Sequence, residues 1–214
     1  MKGDRHSDFS FLGKRKYIQG TTLLDFALRC IWEAKPSVSR IRVRQFTIHK
    51  EVEKNVVLTP SFTDPKESAA EIRFDGENEA ESAFLVPSGP PIEKRTEDLV
   101  IPVEITRSDM DFSGEGRVGS VQSFKDLIEA IVELNKRLHL QAAVTSKEDP
   151  RVRVAYFRDL EATRDFEPGP LSMGIKKRTQ RDFTGLRYTL SDALYSVGKA
   201  EGRLTLCFSF KAKD

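Results

Sequence analysis

No stretch of this sequence approaches the ~18 apolar residues that a membrane-crossing helix needs. The opening residues Met1-Lys2-Gly3-Asp4-Arg5-His6 are polar and lead into no apolar segment, so no secretory signal is expected. Cysteine is scarce. Cys30 and Cys207 are far apart and sit in apolar contexts, which reads as two buried free thiols rather than a disulfide framework. An excess of one charge is missing as well: 35 Lys and Arg face 33 Asp and Glu, a formal charge of +2, which is no footprint for nucleic acid. The three histidines, His6, His49 and His139, show no ligand spacing, so neither a metal nor a cofactor is expected. No serine elbow and no Cys–His pairing is recognisable. These absences leave a cytoplasmic globular protein as the expectation.

What the chain does have is an internal echo. Its 214 residues, 38% hydrophobic and 32% charged, suit one large domain or two modest ones. Residues 8–28 laid over 111–131 without a gap share seven identities. Asp8-Phe9-Ser10 falls on Asp111-Phe112-Ser113, Gly13 on Gly116, Gln19 on Gln122, Leu24 on Leu127 and Ala27 on Ala130. Downstream, residues 40–46 lie over 151–157 with four identities, at an offset larger by only eight. Two matches in the same order indicate a duplication, with units expected at 1–92 and 93–214.

Periodicity supports the same division. Leu23, Leu24, Ala27, Leu28 and Ile31 follow the helical period behind Thr21/Thr22, which are expected to cap the helix. A more apolar helix is expected from Phe124 to Leu138 behind the cap Ser123. Ile41, Val43 and Gln45 alternate with Arg40, Arg42 and Arg44, as on a half-buried strand. Further strands are expected near 55–59, 70–75, 82–86, 99–105, 171–178, 183–190 and 203–210. Pro87-Ser88-Gly89-Pro90-Pro91 reads as the linker between the copies. Each unit is then a strand, a helix and three or four antiparallel strands, an α+β architecture.

Gly114-Glu115-Gly116-Arg117-Val118-Gly119 satisfies the GxGxxG spacing of phosphate-binding loops. Its context is wrong for a dinucleotide fold, which needs a strand directly before it and a parallel crossover after it. Loop glycines entering a helix are the expectation.

The order of elements resembles the hotdog fold, a sheet wrapped around one central helix, here in tandem as a double hotdog. Arg107-Ser108-Asp109-Met110-Asp111-Phe112-Ser113-Gly114 resembles the D-x-D-x-x-G approach to the helix in acyl-CoA thioesterases of that fold. Leu127-Ile128-Glu129-Ala130-Ile131 resembles the acid-bearing helix of hydroxyacyl-carrier dehydratases, although no His precedes either helix in an H-x-x-P-x-x-P setting. The resemblance implies a thioester ligand lying in the crevice between the central helices. Catalytic candidates are then Glu129, Asp25 and Asp111, with Gly119 or Ser120 offering backbone N–H groups to the thioester carbonyl. Asp8 in the first copy allows Asp111 a structural role in a turn or cap instead.

Basic residues gather on expected strands and turns: Arg40/Arg42/Arg44, Arg151/Arg153/Arg158, and Lys176-Lys177-Arg178 with Arg181. They read as solvated faces or as a rim for the phosphates of coenzyme A or for an acidic carrier protein, with Arg151 and Arg153 as candidates. The expected function is binding or turnover of an acyl thioester by hydrolysis or by hydration and dehydration, in a monomer or homodimer. A non-catalytic interaction module built from the duplicated unit is the competing class, and nucleic-acid binding the weaker third.

Overall fold

The structure is a computed structural model that describes residues 5–13, 16–76, 79–97, 101–109, 111–143, 153–183 and 186–211. Contacts divide the chain into two units, Met1–Val100 with Ala162–Arg164, and Ile101–Glu161 with Asp165–Asp214.

In the first unit the elements run β1 (Arg5–His6), β2 (Phe11–Leu12), α1 (Gly20–Ala34), β3 (Arg40–Ile48), β4 (Lys54–Thr59), β5 (Ala70–Asp75), β6 (Ala80–Pro91) and β7 (Arg95–Thr96). Its antiparallel sheet has the order β1-β4-β6-β5-β3, and β2 and β7 form a short parallel bridge. The apolar stripe of α1, with Leu23, Leu24, Ala27, Leu28 and Ile31 all buried, lies against β3 and β5. Facing it are Ile41, Val43, Phe46, Ile72 and Phe74, each almost wholly removed from water. Burial of each such side chain is worth roughly 1.5–3 kcal/mol. Helix α1 starts at Gly20, behind Gln19 and without a side-chain cap. Thr21 and Thr22 therefore lie inside it rather than capping it, and Thr21 is buried. At the other end, the Arg164 guanidinium donates to the carbonyls of Trp32 and Pro36 and so satisfies orphan acceptors just past the last turn.

The second unit runs β8 (Glu104–Ser108), β9 (Gly114–Val121), α2 (Phe124–Ala143), β10 (Arg153–Thr163, whose last two residues belong to the first unit), β11 (Gly169–Phe183), β12 (Leu186–Val197) and β13 (Ala200–Lys211). Its sheet order is β8-β9-β11-β12-β13-β10, antiparallel throughout. Ser123 caps α2 as expected: its hydroxyl accepts from the backbone N–H of Asp126, whose carboxylate accepts from the N–H of Gln122. Buried Leu127, Ile128, Ala130, Ile131, Leu134 and Leu138 face β9 and β11.

Three expectations are corrected. The Pro87–Pro91 segment is no linker but the end of β6, paired with β4 through an irregular register that spares the prolines' missing donors. Residues 101–103 are outside any strand, so the strand expected at 99–105 is β8, starting at Glu104. The glycine segment is not a loop but β9 itself. Gly114 and Gly116 alternate onto its buried face, where a Cβ on Gly114 would come 2.5 Å from the Arg107 carbonyl and 2.6 Å from Leu138. A Cβ on Gly116 would come 3.1 Å from Leu134. Gly119 faces open space.

Gly114→Ala is therefore expected to cost about 1–3 kcal/mol of unfolding free energy through overpacking, while Gly119→Ala stays within ~0.5 kcal/mol of the parent. Chemical denaturation of both variants checks the contrast.

Candidate functional site

The helix acids are each paired and only partly exposed. Glu129 on α2 is 18% exposed at its side chain and meets Lys125 Nζ at 2.9 Å, one turn earlier. Asp25 on α1 is 24% exposed and meets Arg29 Nε at 3.1 Å, one turn later. Each acid lies on the flank of its helix, beside the apolar stripe rather than within it.

Asp111 lies ahead of α2 and is exposed. Its carboxylate accepts from the backbone N–H of Ser113, and hydrogen bonding from Ser113 holds its pKa below the usual carboxylate value. Ser113 Oγ in turn accepts from the N–H of Lys177 on β11. This arrangement is a turn lock that ties the entry of β9 to β11. In the first unit, Asp8 is held differently, by Lys94 Nζ at 2.7 Å.

Gly119 and Ser120 are in the last residues of β9, where the register with β11 shifts, rather than on the first turn of the helix. Both are exposed, and Ser120 Oγ accepts from Gln122 Nε2 at 2.8 Å. Arg153 is half-buried on β10 opposite Ser209. Arg151 lies outside the described residues. Of the three catalytic candidates Glu129, Asp25 and Asp111, only Asp111 lines the cleft described below, where it is joined by Asp109 and by Lys176 and Arg178 of the basic cluster.

That cleft, about 700 Å³, opens on the second unit's sheet. Gly174 leaves a gap in its floor, in a cross-strand row with Glu115, Leu194 and Arg203. Around it the charges are largely paired: Arg107 with Asp109 at 3.1 Å, and Arg178 with Asp192 at 3.0 Å. Asp192 also accepts from the Thr205 hydroxyl. Asp159, on the wall, has φ 53°, a left-handed backbone that Asp tolerates. Four cations and five carboxylates line the cleft, so it presents no basic surface for phosphates.

The residue that sequence reasoning passed over is His139. It is 2% exposed on α2, with Nδ1 at 2.7 Å from the Asn135 carbonyl and Nε2 on the Thr189 hydroxyl of β12. A carbonyl only accepts, so Nδ1 carries the proton and Nε2 accepts from Thr189. The ring is stacked between Phe112 and Phe208, with Phe210 edge-on. Burial holds its pKa below the ordinary value of 6.5, the Asn135 carbonyl opposing and Lys177 reinforcing that shift. Asn135 is fully buried with both amide atoms unpartnered, and so is the Ser191 hydroxyl. The signal was present in sequence as a polar pair, Asn135 and His139, at helical i, i+4 spacing on the apolar face.

Both cysteines are free and buried, as expected, and burial raises both thiols, Cys30 to about 11. They are weak nucleophiles in that state. Among the described residues no cluster of His, Cys, Asp and Glu could hold a metal ion, and no helix is long and apolar enough to cross a membrane.

Because the His139 pKa is lowered in the folded state, the unfolded chain takes up a proton first as pH falls below about 6.5. Its contribution to stability is full above that pH and declines below it. His139→Phe is expected to flatten the loss of stability between pH 7.5 and 5.5; equal slopes in denaturant titrations of the two proteins would contradict this.

No protein-family model matches the chain, and no curated protein matches it. Solved structures do. A conserved protein of unknown function with a hot dog fold, from Alicyclobacillus acidocaldarius, superposes with a TM-score of 0.57 at 10% identity, covering 100% of this chain and 96% of that one. GphF Dehydratase 1 matches with a TM-score of 0.52 at 11% identity, over 99% of this chain and 93% of that one. A protein from Lactobacillus plantarum, provisionally described as an oleoyl thioesterase, matches with a TM-score of 0.50 at 11% identity, over 99% and 96%. The chain has the hotdog fold, α+β, as the order of its elements implied.

Proposed function

We propose that this protein binds an acyl thioester, carried by coenzyme A or an acyl carrier protein, and hydrolyses it. The observation that carries the reading is the end-to-end likeness to hotdog proteins, including one described as a dehydratase and one as a thioesterase, which covers 99% of this chain and 93% and 96% of those chains. Hydrolysis is preferred over dehydration because His139 is enclosed, with both ring nitrogens engaged, and no other histidine belongs to the second unit.

Glu129 is the candidate base. Its carboxylate is shielded to 18% exposure on the second unit's helix and shares its position with Lys125. In the proposed step it takes a proton from water as the water oxygen bonds to the thioester carbon. The C–S bond then breaks, and the leaving thiolate recovers the proton. A general base of this kind contributes about 10²–10⁴-fold to the rate. Asp111 serves the turn into β9 in this reading, and Asp25 is the weaker candidate because Arg29 holds it on the first unit's helix.

A second reading, a non-catalytic binding module, is favoured by one observation: each candidate acid already has a local partner. One set of measurements separates the two. Millimolar coenzyme A or acyl-CoA should raise the melting temperature by roughly 2–8 °C. Free thiol should be released from acyl-CoA, and Glu129→Gln should cut that release by about 10²-fold while the thermal shift persists. A shift without thiol release supports the binding module. The absence of any shift with coenzyme A, acyl-CoA or acylated carrier protein removes the thioester from both readings.

A further inference from the structure

The longest strand of the second unit, β11, outruns one of its two neighbours. β11 pairs with β12 to its end at Phe183, opposite Leu186, through one register shift between Lys177 and Thr179, but with β9 only as far as Ile175. The Lys177 N–H, donated to Ser113 Oγ, closes the covered stretch. From Arg178 to Phe183 no strand among the described residues flanks β11 on that side, and all six residues are exposed. A strand edge of this kind offers a row of backbone donors and acceptors to any extended chain.

Charge narrows the choice of chain. Between Lys176 and Arg187 there are five cations and one acid. Arg178 is bound to Asp192 and Arg187 to Asp182, while no carboxylate among the described residues is bound to Lys176 or Arg181. At the tip, Phe183 is 68% and Leu186 37% exposed. Cations on a free edge often serve only to prevent sheet-to-sheet aggregation. That purpose does not account for a Phe and a Leu presented to water on the same ribbon, since exposed apolar groups promote the association that the charges would prevent.

We propose that the free edge of β11, from Arg178 to Phe183, is a docking site for an extended acidic segment of a partner protein, which adds a strand there. Carboxylates of the segment answer Lys176 and Arg181, and one of its apolar side chains covers Phe183 and Leu186. A second copy of this chain fits less well, because edge-to-edge pairing would lay the same basic stretch against itself, and like charges across a ladder are destabilising. The proposal is independent of thioester chemistry.

The test uses the full chain and a short fluorescent peptide alternating glutamate and valine, with one phenylalanine. Saturable binding is expected, with slowed amide exchange confined to residues 176–183. N-methylation of alternate peptide nitrogens on the pairing side should weaken it by about tenfold, since it removes strand pairing and leaves charge intact. R181E should weaken it by about fivefold at unchanged melting temperature, and F183S should do so without altering the salt dependence. Three results would overturn the proposal: undiminished binding of the N-methylated peptide, exchange protection elsewhere, or no binding of the acidic peptide while phosphatidylserine vesicles capture the protein. Concentration-dependent dimerisation through the same residues, without peptide binding, would assign the edge to self-association instead.

Discussion

The close approach of α2 to β9 is the constraint on which the second unit depends. Leu134 and Leu138 occupy space that side chains on Gly116 and Gly114 would need, so the helix rests on bare backbone. That contact sets the depth at which α2 lies and brings His139, i+4 from the buried Asn135, onto Thr189 of β12. It also explains why the segment before the helix is so tightly specified. Asp111 turns the chain, Ser113 fastens it to β11, and Phe112, at φ 66°, is held left-handed so that its ring stacks on His139. A bulky residue at positive φ is costly, and it persists here because the stack and the two Ser113 bonds determine its place together.

This arrangement shows where the sequence could and could not be read. The helices, most strands and the two-unit hotdog organisation were legible because apolar periodicity in α1, α2 and β3 matches burial nearly residue for residue. The glycine motif was not. Glycines two apart satisfy a phosphate loop and the inner face of a strand equally well, and only the helix packed above them decides between the two. Proline misled in the same local way at β6: the propensity of Pro87, Pro90 and Pro91 to break a strand was overridden by an irregular pairing on β4. Thr21 and Thr22 were good caps in composition, yet the helix started before them.

The candidate site was less legible than the fold, for a physical reason. An acid on a helix flank can be catalytic, solvated or tied to a neighbour one turn away, and the i, i+4 partners Arg29 and Lys125 were visible in the sequence as merely alternating charge. His139 was dismissed for want of metal ligands, although a lone imidazole in an apolar stripe has other uses. Its neighbours show one of them. Stacked between Phe112 and Phe208, with each nitrogen given a single role, it fills a core position that a purely apolar side chain would fill without fixing an orientation.

The two units differ in how far their helices run. At the offset that aligns Leu24 with Leu127, Asn135 corresponds to Trp32 and His139 to Pro36. Proline cannot continue a helix without losing a backbone bond, and α1 ends at Ala34 after 15 residues, where α2 runs for 20. The part of α2 beyond Arg137, which carries the His139 imidazole onto Thr189, therefore has no counterpart in the first helix. The strand orders diverge as well: the final strand β13 lies beside β10, whereas β6 is inserted between β4 and β5. The two units share the packing of one helix on an antiparallel sheet but not the strand order or the buried polar residues. The buried imidazole, held on Thr189, is thus a feature of the second unit, whose sheet also carries the overhanging edge of β11.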